Sequence, residues 1–277
     1  MPAINLMFVP TLLLALALFA VGRHLALRAA DGRVALLWLA AGIVASVPGT
    51  LFAVYYAHLL DQTGWFYTFR ALPFTELAAA GLGLLAGTTA GLLGRSERIR
   101  SSRLFTWIGP CLLLFFLVLA LAVPYAKPFI APLKVAFQDH WSEGVCLQTT
   151  PSTCGPSSAA TLLESRGVHA TERELARECY TCGSGTENWY LVRSLRRRGM
   201  EAEVRLTAPD PAALPFPSIA GTQCGGQGGA GHFIAILAEK NGLYTIGDPI
   251  GGRWIGTAQQ LQARYYLTGF FLTVRPR

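Results

Sequence analysis

A chain of 277 residues that is 52% hydrophobic and only 14% charged is too apolar for an ordinary soluble domain, where charged residues run to about a quarter. Its length allows one or two domains, and the apolar excess lies in the first half, which sets a boundary near residue 125. The formal charge of +7 does not point to nucleic acid, because several arginines cluster between hydrophobic segments, the pattern that orients a membrane protein.

Four apolar stretches have the length of a membrane span, about 20 residues: roughly Ile4 to Val21, Val34 to Tyr56, Pro73 to Leu93 and Leu104 to Val123. The first lacks a preceding basic stretch and three more follow it, so it reads as an uncleaved anchor rather than a signal peptide. Arg23, Arg28 and Arg33 follow the first stretch, and Arg95, Arg98, Arg100 and Arg103 follow the third. The loop between the second and third has Arg70 against Asp61, beside the interfacial aromatics Trp65, Phe66 and Tyr67. The positive-inside rule then places the arginine-rich loops in the cytoplasm and both termini outside it. Gly83, Gly87 and Gly91 leave one helix face nearly bare, for close packing within the bundle or between chains. This gives a membrane domain over 1–125, a linker over 126–139 and a soluble domain over 140–277.

The soluble half begins with helices. Cys154 to Arg166 has Pro156 in its first turn and Gly167 as a stop. Thr171-x-x-Glu174 is a capping box that opens a second helix. Glu187 to Arg198 forms a third, whose Arg193, Arg196, Arg197 and Arg198 read as a solvated face and helix end. Strands follow at Glu201 to Leu206, Ser218 to Thr222, His232 to Ala238, Leu243 to Gly247 and Gly269 to Val274. Helices first and an antiparallel sheet afterwards make an α+β domain.

One constellation carries chemistry: Gln148, Cys154-Gly155-Pro156, Gly231-His232 before an aliphatic strand, and Gly247-Asp248-Pro249. A thiol attacks carbonyls only as thiolate, and a helix amino-terminus with a nearby imidazolium favours that form. Cys154 has the first, and His232 is the candidate for the second. Asp248 is the candidate to orient His232. A three-residue turn after Glu239 sets Ile234 opposite Asp248 and brings both side chains to one sheet face. A two-residue turn puts Asp248 on the other face. Gln148 offers an amide donor for the oxyanion of a tetrahedral intermediate, beside the Cys154 N–H. The glycine-rich Gln223 to Gly231 is expected to border the cleft. No metal or cofactor is required by this chemistry.

At these residues the sequence resembles the papain-like cysteine peptidase family 39, the double-glycine leader peptidases of bacteriocin export. The similarity spans about Trp141 to Arg277. It implies a papain-like fold, with Cys154 as nucleophile, His232 as general base and acid, Asp248 as orienting carboxylate and Gln148 as oxyanion donor. It further implies a peptide or protein substrate with a glycine-rich cleavage site, and a separate export transporter as a partner. The exporters of that family place this domain before their spans and fuse it to an ATPase. Here it follows the spans and no Gly-x₄-Gly-Lys-Ser/Thr loop is found, so neither transport nor ATP hydrolysis carries over. The expectation is a peptidase tethered to the lipid bilayer, in a bacterial inner membrane, acting outside the cytoplasm on an exported chain.

Other readings stay open. The domain is alternatively a catalytically inactive peptide-binding module that assists an export system, or a membrane thiol oxidoreductase using Cys179-x₂-Cys182. Cys146, Cys179, Cys182 and Cys224 suit disulfides in an oxidising compartment, free thiols, or a zinc site.

Overall fold

The computed structural model describes residues 5–56, 59–60, 63–95, 103–210, 213–224 and 230–276. Arg98, Arg100 and most of the glycine-rich stretch after Cys224 lie outside them. The chain divides into two compact units, and the division does not follow the sequence boundary. One unit is Asn5–Asp61 with Phe74–Lys127, and the other joins Gln62–Pro73 to Pro128–Arg277.

The first unit holds α1 (Phe8–Arg28) and α2 (Gly32–Tyr56). Its chain resumes after the segment that carries α3 (Gly64–Arg70), with a 3₁₀ turn (Thr75–Ala80), α4 (Gly81–Arg95) and most of α5 (Arg103–Ile130). Among the described residues three helices are long and apolar enough to cross a membrane, Phe8–Arg28, Gly32–Tyr56 and Thr75–Arg95, rather than the four expected. The fourth stretch is helical, and among the described residues its apolar run is Ile108–Ala122. The bare face of α4 is used inside the chain. A Cβ at Gly83 would lie 2.0 Å from the Ala15 carbonyl oxygen, and one at Gly87 2.1 Å from that of Phe19. Only glycine lets the α4 and α1 backbones approach so closely.

In the second unit a short antiparallel pair, β1 (His140–Ser142) and β2 (Val145–Leu147), precedes three helices. These are α6 (Cys154–Glu164), α7 (Glu172–Glu178) and α8 (Asn188–Arg197). Gly167, at φ +74°, turns the chain after α6, and Val168 N–H closes back on the Leu163 carbonyl at 3.0 Å. The capping box before α7 forms as expected, with Glu174 N–H on Thr171 Oγ1 and Thr171 N–H on Glu174 Oε2, both at 3.1 Å.

The sheet then takes β3 (Met200–Leu206), β4 (Ser218–Cys224), β5 (Ala230–Lys240), β6 (Leu243–Asp248), β7 (Gly252–Thr257) and, after α9 (Ala258–Tyr265), β8 (Leu267–Pro276). All neighbours are antiparallel, in the order β3-β8-β4-β5-β6-β7. Ala220, Ile234, Ile236, Ile246, Leu261 and Phe271 fill the core between this sheet and α9. On the other side α6 packs against β5. The domain is thus α+β, with helices on an antiparallel sheet.

The β5–β6 hairpin corrects the expected turn. Lys240 pairs with Leu243 across Asn241-Gly242, both at positive φ, so the turn has two residues. A bulge between Ile236 and Ala238 then shifts the register, and Ala235 faces Gly247. One extra residue in β5 therefore restores the pairing that a three-residue turn would have given.

The arginines of α8 also depart from expectation. Arg193 donates to the Arg70 carbonyl at 2.6 Å, and Arg196 to the Ala71 carbonyl at 3.1 Å and that of Ala202 at 2.9 Å. Arg198 is paired with Glu178. Only Arg197 is largely solvated. The carbonyls of residues 70 and 71 close α3, which has no further turn to accept from.

Candidate active site

Cys154 is the first residue of α6, so its sulfur sits where unpaired N–H groups concentrate positive potential. The helix is pinned to the sheet one turn later, where Ser158 Oγ donates to the Phe233 carbonyl at 2.9 Å. That bond ties the residue after His232 to the residue four after Cys154, and so sets the sulfur and the imidazole in register. A Cβ at Gly247 would lie 2.5 Å from Thr161 Cγ2, so α6 rests almost on the β6 backbone.

Cys154, His232 and Asp248 are all buried, at 8%, 6% and 5% exposure. His232 Nε2 lies 3.0 Å from Asp248 Oδ1, and Cys154 is close enough to the same ring to act on its charge. With Nε2 on the carboxylate, Nδ1 is the nitrogen left for sulfur. Burial alone would lower the His232 pKa, but the hydrogen bond to Asp248 and then the one to Cys154 outweigh it and raise it to about 9. Asp248 is held below the usual carboxylate range: burial opposes this, and the bonds from His232 and from backbone N–H groups win. Its Oδ1 also accepts from Ile250 N–H at 2.9 Å, and a Cβ at Gly251 would crowd Oδ2 at 2.9 Å.

Gln148 lies immediately after β2. Its N–H donates to the Pro249 carbonyl at 2.9 Å, next to Asp248, and its side-chain Oε1 is buried without a hydrogen-bond partner. Sequence reasoning missed two neighbours of this site. Ser158 carries no local signal, since its role depends on a strand 75 residues away. Tyr265, at the end of α9, is pushed up to about 12 by burial and by the nearby Asp248 carboxylate.

Cys111, Cys146, Cys154, Cys179 and Cys182 are free, so the expected crosslinks involve none of them. The Cys179 thiol is pushed up to about 12 by burial and by the Glu178 charge, which leaves it inert as a redox nucleophile at neutral pH. Among the described residues no cluster of three His, Cys, Asp or Glu side chains is placed to hold a metal ion.

An uncharacterized protein of Methanothermobacter marburgensis is 32% identical to this chain over 112 residues, which cover 40% of this chain and 75% of that protein. One from Methanothermobacter thermautotrophicus is 28% identical over 139 residues, covering 48% and 90%. Two solved structures are also similar at low identity. The peptidase domain of Streptococcus ComA, a bi-functional ABC transporter involved in quorum sensing, is 20% identical, with 48% of this chain and 98% of that one covered and a TM-score of 0.42. A double glycine motif protease from an AMS/PCAT transporter, solved with its leader peptide, is 21% identical, with 48% and 91% covered and a TM-score of 0.41. The match to the Peptidase C39 family covers residues 142–277, which includes Gln148, Cys154, His232 and Asp248. The chain belongs to the Peptidase C39 family.

Proposed function

We propose that this chain is a membrane-anchored cysteine peptidase that cleaves an exported peptide or protein. The observation that carries the reading is the buried relay: a cysteine at a helix amino-terminus, beside a histidine that a carboxylate holds from behind. Cys154 Sγ attacks the scissile carbonyl carbon, and the carbonyl electron pair moves to oxygen. The Gln148 amide and the Cys154 N–H receive that oxyanion. His232 gives its proton to the leaving nitrogen, so the C–N bond breaks and a thioester remains. His232 then takes a proton from water, the hydroxide attacks the thioester, and the acid leaves as the thiolate returns. A glycine-rich cleavage site and delivery to a separate transporter belong to this proposal as its finer detail.

The same reading places the peptidase outside the cytoplasm. Residues 62–73, between α2 and α4, fold within the peptidase unit, so that loop and the peptidase share one face of the bilayer. Arg28 and Arg33 mark the loop before α2 and Arg95 the loop after α4, which assigns the opposite face to the cytoplasm. For the chain to return to the outer face after α4, α5 must serve as a fourth span.

One experiment tests both parts: a membrane-impermeant thiol-reactive electrophile applied to intact and to permeabilised cells, comparing wild type with Cys154→Ala and His232→Ala. Labelling at Cys154 in intact cells, lost in both variants, is the expected result. Labelling at Cys154 only after permeabilisation would overturn the orientation. No labelling at Cys154 in either preparation would leave an inactive peptide-binding module.

A further inference from the structure

Glu172 is completely buried, in the first turn of α7, and among the described residues no cation is bonded to it. Both carboxylate oxygens are spent on one residue: Thr149 N–H donates to Oε1 at 2.7 Å, and Thr149 Oγ1 donates to Oε2. Thr149 Oγ1 in turn accepts from Gln138 N–H at 3.3 Å. The nearby Cys146 thiol is pushed up to about 12 by burial and then by Glu172. Keeping an unpaired carboxylate out of water is costly unless it is well hydrogen-bonded. A purely structural strut at this place could be neutral.

Thr149 follows Gln148, whose own N–H is held by Pro249, the residue after Asp248. The two successive amides at 148 and 149 are thus fixed to opposite sides, one to the strand end that carries Asp248 and the other to Glu172. Between them the Gln148 side chain lies half-buried with Oε1 unpartnered. Its aim is therefore set by its backbone. A misplacement of about 1 Å in such a group costs on the order of a hundredfold in rate.

We infer that Glu172 is a positioning residue that clamps the strand before the nucleophile and aims the Gln148 amide at the oxyanion. This rests on the peptidase reading above. Glu172 touches neither substrate nor the sulfur; it acts through Thr149 on Gln148.

Two probes applied to the full-length protein in detergent separate this role from a general loss of structure. p-Nitrophenyl acetate acylates Cys154 through a tetrahedral oxyanion, the C–S bond forming as p-nitrophenolate leaves. Iodoacetamide alkylates the same sulfur by direct displacement of iodide, with no oxyanion formed. Both products are read at Cys154 by peptide mass spectrometry. Gln148→Ala and Glu172→Ala should slow acylation, the first by about a hundred- to a thousandfold and the second by about ten- to a hundredfold. Neither should change alkylation by more than about twofold, because Cys154, His232 and Asp248 are untouched. Glu172→Gln, which can still accept from Thr149 N–H, should restore most of the acylation rate. In the Gln148→Ala background, Glu172→Ala should add nothing, since a residue that acts only through Gln148 has no second route.

Losses that multiply in the double variant, in an enzyme whose wild type is acylated, would overturn the inference and leave the peptidase reading standing. An equal fall in alkylation and acylation in Glu172→Ala would overturn it too. Should Glu172→Ala fail to fold, Thr149→Val removes the hydroxyl donor alone and should show the same split to a smaller degree; no split there would also overturn it. Absence of acylation at wild-type Cys154 would remove the peptidase reading, and this inference with it.

Discussion

His232 has two partners that pull in one direction. Asp248 and Cys154 both favour its protonated form, and together they overcome the burial that would neutralise it. The consequence for pH follows directly. The folded-state pKa of about 9 lies above the ordinary 6.5, so the stabilisation from this group is full below about pH 6.5 and is lost as pH rises through about 9. The melting temperature, followed from pH 6 upward, should fall as pH rises through about 9. In His232→Ala this contribution should be absent. The identities of these residues were legible in the chain because each announces itself locally. A cysteine before a helix-opening Gly-Pro, a histidine before an aliphatic run and an aspartate before proline need no distant partner to be noticed. Ser158, Tyr265 and Glu172 were not legible. Each looks like an ordinary helix residue until the fold brings it to the Phe233 carbonyl, to Asp248 or to Thr149.

At the scale of elements, the site depends on how α6 lies on β5 and β6. Gly247 is the contact point, with no room for a side chain against Thr161. Gly247→Ala should lift the helix from the sheet at a cost of about 1–3 kcal/mol, and it should slow alkylation of Cys154 as the sulfur draws away from His232. A denaturant melt and the alkylation rate, measured on the same protein, check the two together. The hairpin shows why element geometry is harder to read than element identity. Asn241-Gly242 is a strong two-residue turn signal, and taken alone it sets Asp248 on the wrong face. The bulge before Ala238 reverses that outcome, and nothing in Ile236-Leu237-Ala238 marks it. By contrast, α9 was overlooked although Thr257-x-x-Gln260 is a capping box, formed with Gln260 N–H on Thr257 Oγ1 at 3.2 Å. β7 is short and glycine-flanked, and β1 and β2 are only three residues each, too brief for an alternation pattern to show.

At the scale of the molecule, the aromatic loop between α2 and α4 is the feature the sequence disguised. Trp65, Phe66 and Tyr67 suggest an interfacial belt, and only Trp65 is largely exposed. Phe66 is fully buried edge-on against Trp189, with ring centroids 6.2 Å apart, and the Arg70 guanidinium lies over the same indole at 4.7 Å. Tyr67 meets Phe270 at 5.9 Å, and Phe270 meets Phe233, beside His232, at 5.7 Å. The contacts of Phe66, Tyr67 and Arg70 join residues more than 100 positions apart, beyond the reach of periodicity or local spacing. A chain shortened to Pro128–Arg277 would lose the α3 wall of this aromatic cluster, and burial of Phe66 alone contributes about 1.5–3 kcal/mol. That fragment should melt well below the full chain, and a synthetic peptide of residues 62–73 should raise its melting temperature; equal melting of the two would contradict the packing.

The α3 helix also bears on whether the second unit can ever travel. Its chain continues on both sides into the first unit, while its rings complete the interior of the second. Severing the connection after α5 would therefore not free the second unit, because α3 would remain as a noncovalent mooring.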